Sequence, residues 1–219
     1  MTTPPPFEVY LDFDNTLTPF DVVDAIIRDF SVDDEWKRIE EEWESGRIGS
    51  RECLERQFAR LRVTRPALSD YLAQIPVEPA LPELFAHLRA RAVPFAILSD
   101  SCEWIIRRIL AARGIEAPPI FANALEFDGD RLSISFPYFA SICTRCGNCK
   151  TSHIMRRNRP DGTRKIYVGD GRSDVCPAGF CEVLFAKDGL YRHYAPLRPD
   201  CIQFDSLDTV LNQLKSLIP

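Results

Sequence analysis

The sequence predicts an α/β fold in which a mostly parallel sheet carries helices on both faces and a helical cap follows the first strand. Three observations predict it. Short apolar runs such as "VPFAIL", "KIYVG" and "EVLFA" alternate with segments of helical spacing, the pattern of a parallel sheet covered on both sides. Between Phe20 and about Pro76 the alternation stops, and helical spacing continues with no clear strand. Polar residues stand just past the ends of apolar runs, at Asp12, Asp14, Ser99, Asp170 and Asp174, where open parallel sheets place their ligands.

Taken in order, residues 8–12 read as a strand that opens the fold directly. The block after it divides into "DVVDAIIRDF", "DDEWKRIEEEWESG" and "SRECLERQFARLRV", each with helical periodicity. Ser50 is a fair cap for the third of these. Trp36 and Trp43, seven apart, share one helical face and are expected to pack the block's own core. A helix to Ala90 follows "PVEPAL", then the strand "VPFAIL", a helix from Ser101 to Arg113, and short strands near Ile120 and from Leu132 to Phe136. A helix near Thr151 to Arg157, strand "KIYVG", a helix, strand "EVLFA" and a closing helix from Leu207 to Leu217 complete the chain. This gives a Rossmann-like core, residues 1–18 and 77–219, with the cap at 19–76. The basic stretch "RRNRPDGTRK" reads as a solvated loop.

The 219 residues, 45% hydrophobic, are enough to bury a substantial core. A net charge of −5 and a pI near 5.3 argue against nucleic acid or anionic membrane as a partner, because both need a broad positive surface. No apolar run reaches the roughly 18 residues of a membrane span. The start "MTTPPPFEVYLDFD" lacks a signal-peptide pattern, so a cytoplasmic protein, monomer or dimer, is expected. Structural disulfides are rare in that compartment, so the eight cysteines call for free thiols, a metal site or redox chemistry.

The two carboxylates of "DFDNT", two positions apart, would face the same side of an extended chain and repel each other. Three or four acids converging at one sheet edge need a cation, and an all-oxygen carboxylate set suits Mg²⁺. Lys150 in "CGNCKTS" and Ser99 in "FAILSDS" would balance the charge and bind an anion there. "DFDNTL" is a poor calcium loop, since Leu17 stands where Gly is needed, and "GDGRSD" is a poor dinucleotide fingerprint, since Asp174 replaces its third glycine.

The order DxDxT, Ser, Lys, GDxxxD over essentially the whole chain resembles the haloacid dehalogenase superfamily of aspartate-nucleophile phosphatases. The helical block just after the first motif is similar to the phosphoserine phosphatase-like branch, whose cap lies there. The resemblance implies that Asp12 is the nucleophile, that Asp14 protonates the leaving oxygen and then deprotonates water, and that Ser99, Asp100 and Lys150 hold the phosphoryl group. It implies Mg²⁺ held by Asp12, the Asp14 main-chain carbonyl and Asp170, with Asp174 supporting that shell.

Asp21, nine positions after Asp12, resembles in placement a substrate-binding glutamate of phosphoserine phosphatases, and it is equally a cap for the helix that follows. Arg47, in the bend "SGRIGS", is the cap arginine best placed by sequence to meet substrate. Cys143, Cys146 and Cys149 have soft-metal spacing and His153 could complete a zinc set; a transient disulfide and plain reduced thiols are the alternatives. "CGNCK" resembles the matching loop of methionine-salvage phosphatases acting on 2-hydroxy-3-keto-5-methylthiopentenyl-1-phosphate, and more loosely that of phosphoethanolamine/phosphocholine phosphatases. The expected substrate is therefore a small phosphorylated metabolite of this kind, with phosphoserine as an alternative. A non-catalytic, metal-dependent binding protein is the reading from another class.

Overall fold

The computed structural model describes residues 7–139, 143, 145–157, 159 and 162–219. The chain divides into two compact units: Met1–Pro19, Val77–Leu98 and Lys150–Pro219 form one, and Phe20–Pro76 with Ser99–Cys149 form the other.

The first unit is built on β1 (Phe7–Leu11), all five residues of which are buried. Burial of every position, Glu8 included, is what a strand covered on both faces shows. β1 pairs in parallel with β2 (Phe95–Cys102), Leu11 opposite Ile97, and with β5 (Arg164–Gly169), Leu11 opposite Val168. β5 pairs in parallel with β6 (Val183–Ala186), and β6 with the two-residue β7 (Ile202–Gln203). The core is made of Val9, Tyr10, Leu11, Ile97, Ile166, Tyr167, Val168, Leu184 and Phe185, all at or near zero exposure. Each such side chain contributes about 1.5–3 kcal/mol by leaving water.

Helices α5 (Leu81–Ala90) and α10 (Leu207–Leu217) pack in this unit with their apolar residues inward. The exposed pair Lys215–Glu83 between them, at 2.7 Å, adds little in high dielectric. α7 (Lys150–Arg156), the short α8 (Val175–Ala178) and α9 (Asp188–Tyr194) complete the unit. The periodicity pointed to neither α9 nor β7. α9 starts with Asp188 at φ +46° and has Gly189 next, and β7 is too short to alternate.

The second unit holds α1 (Val22–Phe30), α2 (Glu35–Glu44), α3 (Ser50–Phe58), α4 (Arg65–Leu72) and α6 (Glu103–Ala112). With them is the hairpin β3 (Ile120–Asp128) and β4 (Arg131–Ser135). Its two-residue turn opens on Gly129 at φ +62°, the left-handed geometry that suits glycine. α3 starts at Ser50 with Gly49 in the capping position, so Ser50 is not the cap the sequence suggested; its Oγ accepts from Trp43 Nε1 at 3.0 Å. Trp36 and Trp43 are half-buried rather than central, and the buried residue of α2 is Ile39 between them. The strand order is β4-β3-β2-β1-β5-β6-β7, parallel from β2 through β7 and antiparallel in the β3–β4 hairpin.

The basic stretch departs from its expected role as a solvated loop. Arg157 Nη1 meets Glu8 Oε1 at 2.6 Å, and Arg159 Nε meets Glu8 Oε2, with Glu8 only 4% exposed. Arg159 also lies over the Tyr10 ring at 5.4 Å. A buried carboxylate at the start of the central strand is thus neutralised by two guanidinium groups. Glu8→Ala would leave both partly buried without their acceptor, with an expected loss of about 3–5 kcal/mol, measurable as a fall in the chemical-denaturation midpoint. A change under about 1 kcal/mol would show that the cluster is a surface ornament.

Candidate active site

Parallel pairing of β1 with β5 determines the site. Because Leu11 is opposite Val168, the residues leaving the carboxyl ends of these neighbouring strands are Asp12 on one and Gly169 then Asp170 on the other. Asp12 N–H donates to Val168 O at 2.9 Å, extending the ladder one step past β1. A short 3₁₀ turn, Arg172–Asp174, then swings Asp174 back under Asp170. The ligating oxygens of Asp12, Asp170 and Asp174 lie within 4.8 Å of one another, the group of this kind found among the described residues.

Lys150, the first residue of α7, answers this charge. Its Nζ, 2% exposed, contacts Asp12 Oδ1 at 2.6 Å, Asp174 Oδ1 at 2.7 Å and Ser173 Oγ at 3.0 Å. These are three acceptors for the three protons of an ammonium. Asp174 is fully buried and fully used: Oδ1 also accepts from Tyr167 OH at 2.6 Å, and Oδ2 accepts the Asp170 and Gly171 N–H groups at 3.0 and 3.2 Å. Burial, then the Asp174 charge, raises the Tyr167 pKa well above its usual value, so this phenol stays a donor. Gly169 has to be glycine, since a Cβ there would stand 2.7 Å from Asp174 Cγ.

One lysine does not balance three carboxylates. Burial, followed by the Asp174 charge, pushes the Asp12 pKa well up; Lys150 pulls the other way and Asp170 adds to the rise. Asp170 is raised too, by burial and then by Asp174, with Asn15 and Lys150 opposing. The hard oxygen donors and this residual repulsion fit a divalent cation, which would lower both values.

The turn after β1 supplies the rest. Phe13 O accepts from the N–H groups of Thr16, Leu17 and Thr18 at 3.2, 2.8 and 3.3 Å, folding "DFDNT" back on itself. Asn15, at φ +50°, sends Nδ2 to Asp170 Oδ2 at 2.7 Å and to Asp188 Oδ2 at 3.0 Å, and Thr16 Oγ1 reaches Asp170 Oδ1 at 3.4 Å. Asp14 is half-buried and is not one of the converging three. Sequence reasoning missed Asn15, Tyr167 and Ser173. Asn15 carried a usable signal, because asparagine tolerates the left-handed conformation that a tight turn after a strand demands.

The remaining candidates, His153 apart, lie in the second unit. Ser99, on β2 two residues past Ile97, is buried, and its Oγ accepts the Ser101 N–H at 2.9 Å. Asp100 Oδ1 accepts the Asn148 N–H at 3.0 Å, while Asn148 Nδ2 donates to Ser99 O at 2.9 Å and to Phe121 O at 2.7 Å. Asn148, unnoticed in the sequence, thus ties the "CGNCK" loop to the end of β2. Asp21 caps α1, its Oδ1 accepting the Asp24 N–H at 2.9 Å, and Arg47 is exposed. All eight cysteines are free thiols. Cys143 and Cys146 approach to 3.5 Å, but Cys143, Cys146, Cys149 and His153 do not form a metal-ligating group among the described residues. His153 belongs to α7, where burial and then Arg156 and Arg157 push its pKa down to about 4.

A carboxylate trio at the carboxyl ends of parallel strands, with a buried lysine and a sheet of this order, has the fold of the haloacid dehalogenase type. The family model described as Putative Phosphatase matches residues 7–189, and the chain belongs to that family. It is 29% identical over 186 residues to a 2-hydroxy-3-keto-5-methylthiopentenyl-1-phosphate phosphatase of Brevibacillus brevis, covering 83% of each chain. A protein of the same name from Geobacillus kaustophilus is 27% identical over 210 residues, 92% of this chain and 94% of that one. Among solved structures, a substrate-bound phosphoserine phosphatase complex matches with a TM-score of 0.72 and 18% identity over 97% of this chain and 99% of that one. A haloacid dehalogenase family hydrolase from Salmonella enterica serovar Typhi matches with a TM-score of 0.74 at 18% identity, over 95% and 70%. The last two are likenesses of fold. No helix among the described residues is long and apolar enough to cross a membrane.

Proposed function

We propose that the protein is a Mg²⁺-dependent phosphomonoesterase that cleaves a small phosphorylated metabolite through an aspartyl-phosphate on Asp12. The single observation that carries this reading is the convergence of Asp12, Asp170 and Asp174 around a lysine that already holds Asp12 by 2.6 Å. Asp12, the Asp14 main-chain carbonyl and Asp170 would hold Mg²⁺, with Asp174 fixing Asp170 and Lys150. The cation would supply charge neutralisation at the acidic cluster and at the transferring phosphoryl group.

The roles of the chain's own groups follow from their surroundings. Lys150 keeps Asp12 ionised and oriented for in-line attack on phosphorus. Asp14, outside the converging three, serves as the acid that protonates the leaving oxygen and then as the base toward water. Ser99 and Lys150 bind the phosphoryl oxygens; Asp100 contributes from its main chain, since its carboxylate accepts the Asn148 N–H. Residues 19–76 act as the cap that keeps water out during attack. Asp21 and Arg47 are its candidates for contact with the substrate's remaining groups.

The substrate we favour is 2-hydroxy-3-keto-5-methylthiopentenyl-1-phosphate, supported by the names of the relatives at 29% and 27% identity. Phosphoserine and phosphoethanolamine or phosphocholine are the next compounds to test. The cytoplasm, as monomer or dimer, is the setting that fits such a metabolite. A panel of phosphorylated metabolites at neutral pH with Mg²⁺ should single out one ester, with turnover lost on chelation. Mg²⁺ should also raise the melting temperature, by relieving repulsion among the three acids. Asp14→Asn should remove turnover while leaving that Mg²⁺-induced rise intact. A fully active Asp14→Asn enzyme, or a protein whose melting ignores Mg²⁺, would end this reading.

A further inference from the structure

We propose that Cys143 and Cys146 are a peroxide-oxidisable dithiol, and that their disulfide disturbs the loop anchoring the end of β2 and the 46–51 bend. The two sulfurs are 3.5 Å apart, so closure to a bond of about 2.05 Å asks for roughly 1.5 Å of approach within a C-x₂-C turn. Both residues are half-buried, which leaves them open to a molecule the size of a peroxide.

The two thiols are also unequal. Burial raises the Cys143 pKa, but the N–H groups of Arg145 and Cys146, the Cys146 thiol and the Arg145 charge outweigh it, leaving Cys143 below its ordinary value. Cys146 is pushed up to about 12 by burial and by its bond to Cys143. Cys143 is therefore the thiolate that attacks, and Cys146 the resolving thiol.

The step balances with a hydroperoxide as oxidant. The Cys143 thiolate attacks the peroxide's outer oxygen; the O–O bond breaks, hydroxide leaves, and Cys143 becomes a sulfenic acid. The Cys146 sulfur then attacks the Cys143 sulfur, the S–OH bond breaks, and the hydroxide takes the Cys146 proton as water. Two thiols and one hydrogen peroxide give one disulfide and two waters. A small-molecule dithiol reverses the reaction by exchange.

What the loop holds gives the oxidation a consequence. Directly after Cys146, Asn148 binds Asp100 Oδ1, Ser99 O and Phe121 O, and Gly147 is so close to Phe136 that a Cβ would stand 2.8 Å from its ring. Between the two cysteines, Arg145 O accepts the Arg51 N–H at 3.4 Å, and Arg145 Nη2 donates to Gly46 O at 3.3 Å. A Cβ on Gly49 would stand 2.6 Å from Arg145 O. With so little slack, pulling Cys146 toward Cys143 must move Arg145 or Asn148, and with them the 46–51 bend or the Ser99 strand end.

The activity arm rests on the phosphatase reading; the thiol arm does not. Full-length protein treated with hydrogen peroxide and then freed of it should lose two alkylatable thiols and yield a Cys143–Cys146 linked peptide by mass spectrometry. Turnover of p-nitrophenyl phosphate with Mg²⁺ should fall about 10- to 100-fold and return with dithiothreitol. In Cys143→Ser and in Cys146→Ser the linked peptide should be absent, and in Cys143→Ser the ratio of treated to untreated activity should stay near one. A disulfide through another cysteine, or complete Cys143–Cys146 closure with unchanged turnover, would overturn the proposal. Reduced protein with no turnover on any ester would instead sink the phosphatase reading, with the peptide map still deciding the thiol chemistry.

Discussion

Asp12→Asn is expected to lower turnover by ~10⁴-fold or more and to abolish trapping of a phosphoryl group on the protein. The amide keeps the shape of the side chain but cannot serve as the attacking oxygen. The same change removes one of three converging carboxylates, and burial and then the Asp174 charge disfavour ionisation of both Asp12 and Asp170. Metal-free Asp12→Asn should therefore melt no lower than the metal-free parent, while responding less to added Mg²⁺. Rapid-quench labelling and a pair of melting curves check both halves. Retained labelling would show that the nucleophile is elsewhere, whereas a large drop in melting temperature would show that the cluster is held together by something other than the balance described.

Lys150→Met has the opposite signature. Lys150 is the sole cation within bonding distance of Asp12 and Asp174 among the described ion pairs, and all three side chains are nearly or wholly buried. Taking away one member of such a group leaves the others uncompensated, at a cost of about 3–5 kcal/mol, or roughly 6–20 °C in melting temperature for a domain of this size. Activity should vanish as well, because Asp12 would be protonated or misdirected. Mg²⁺ should recover part of the stability and none of the turnover. Arginine is expected to be a poor substitute, since the tight cluster of three oxygens suits an ammonium rather than a planar fork. A Lys150→Met variant as stable as the parent would mean that the acids are not charged together in the folded protein.

These predictions differ in sign although they touch the same cluster, and the reason is local. Asp12 is one of several carboxylates in excess, and Lys150 is the positive group set among them in the described ion pairs. Function and stability would pull against each other at such a site: an arrangement that prepared Asp12 for attack would be costly until a cation bound.

Much of this was legible in the chain as written. Each of Asp12, Asp170 and Asp174 follows an apolar run within a few positions, and the period of burial along β1 and β5 is that of strands covered on both faces. Asp21 as the cap of α1 could likewise be read from residue type alone. Contacts between segments far apart in the chain could not. Asn15 on Asp170, the two arginines on Glu8, and Asn148 on Ser99 and Asp100 carry no local periodicity, because a hydrogen bond between distant segments is decided by where the backbone has already gone.

By itself the order of residues determined the α/β class and, through its resemblance to a phosphatase family, which acids, serine and lysine are the candidates for the chemistry, because strand ends and helix starts are set by short-range pattern. Only the tertiary structure decided that Leu11 stands opposite Val168, that Lys150 spends its three protons on Asp12, Ser173 and Asp174, and that Cys143 and Cys146 come within reach of a bond. Register, charge balance and sulfur distance are properties of separate segments brought together, and packing of the apolar core fixes them to within an ångström in a way that no stretch of ten residues encodes.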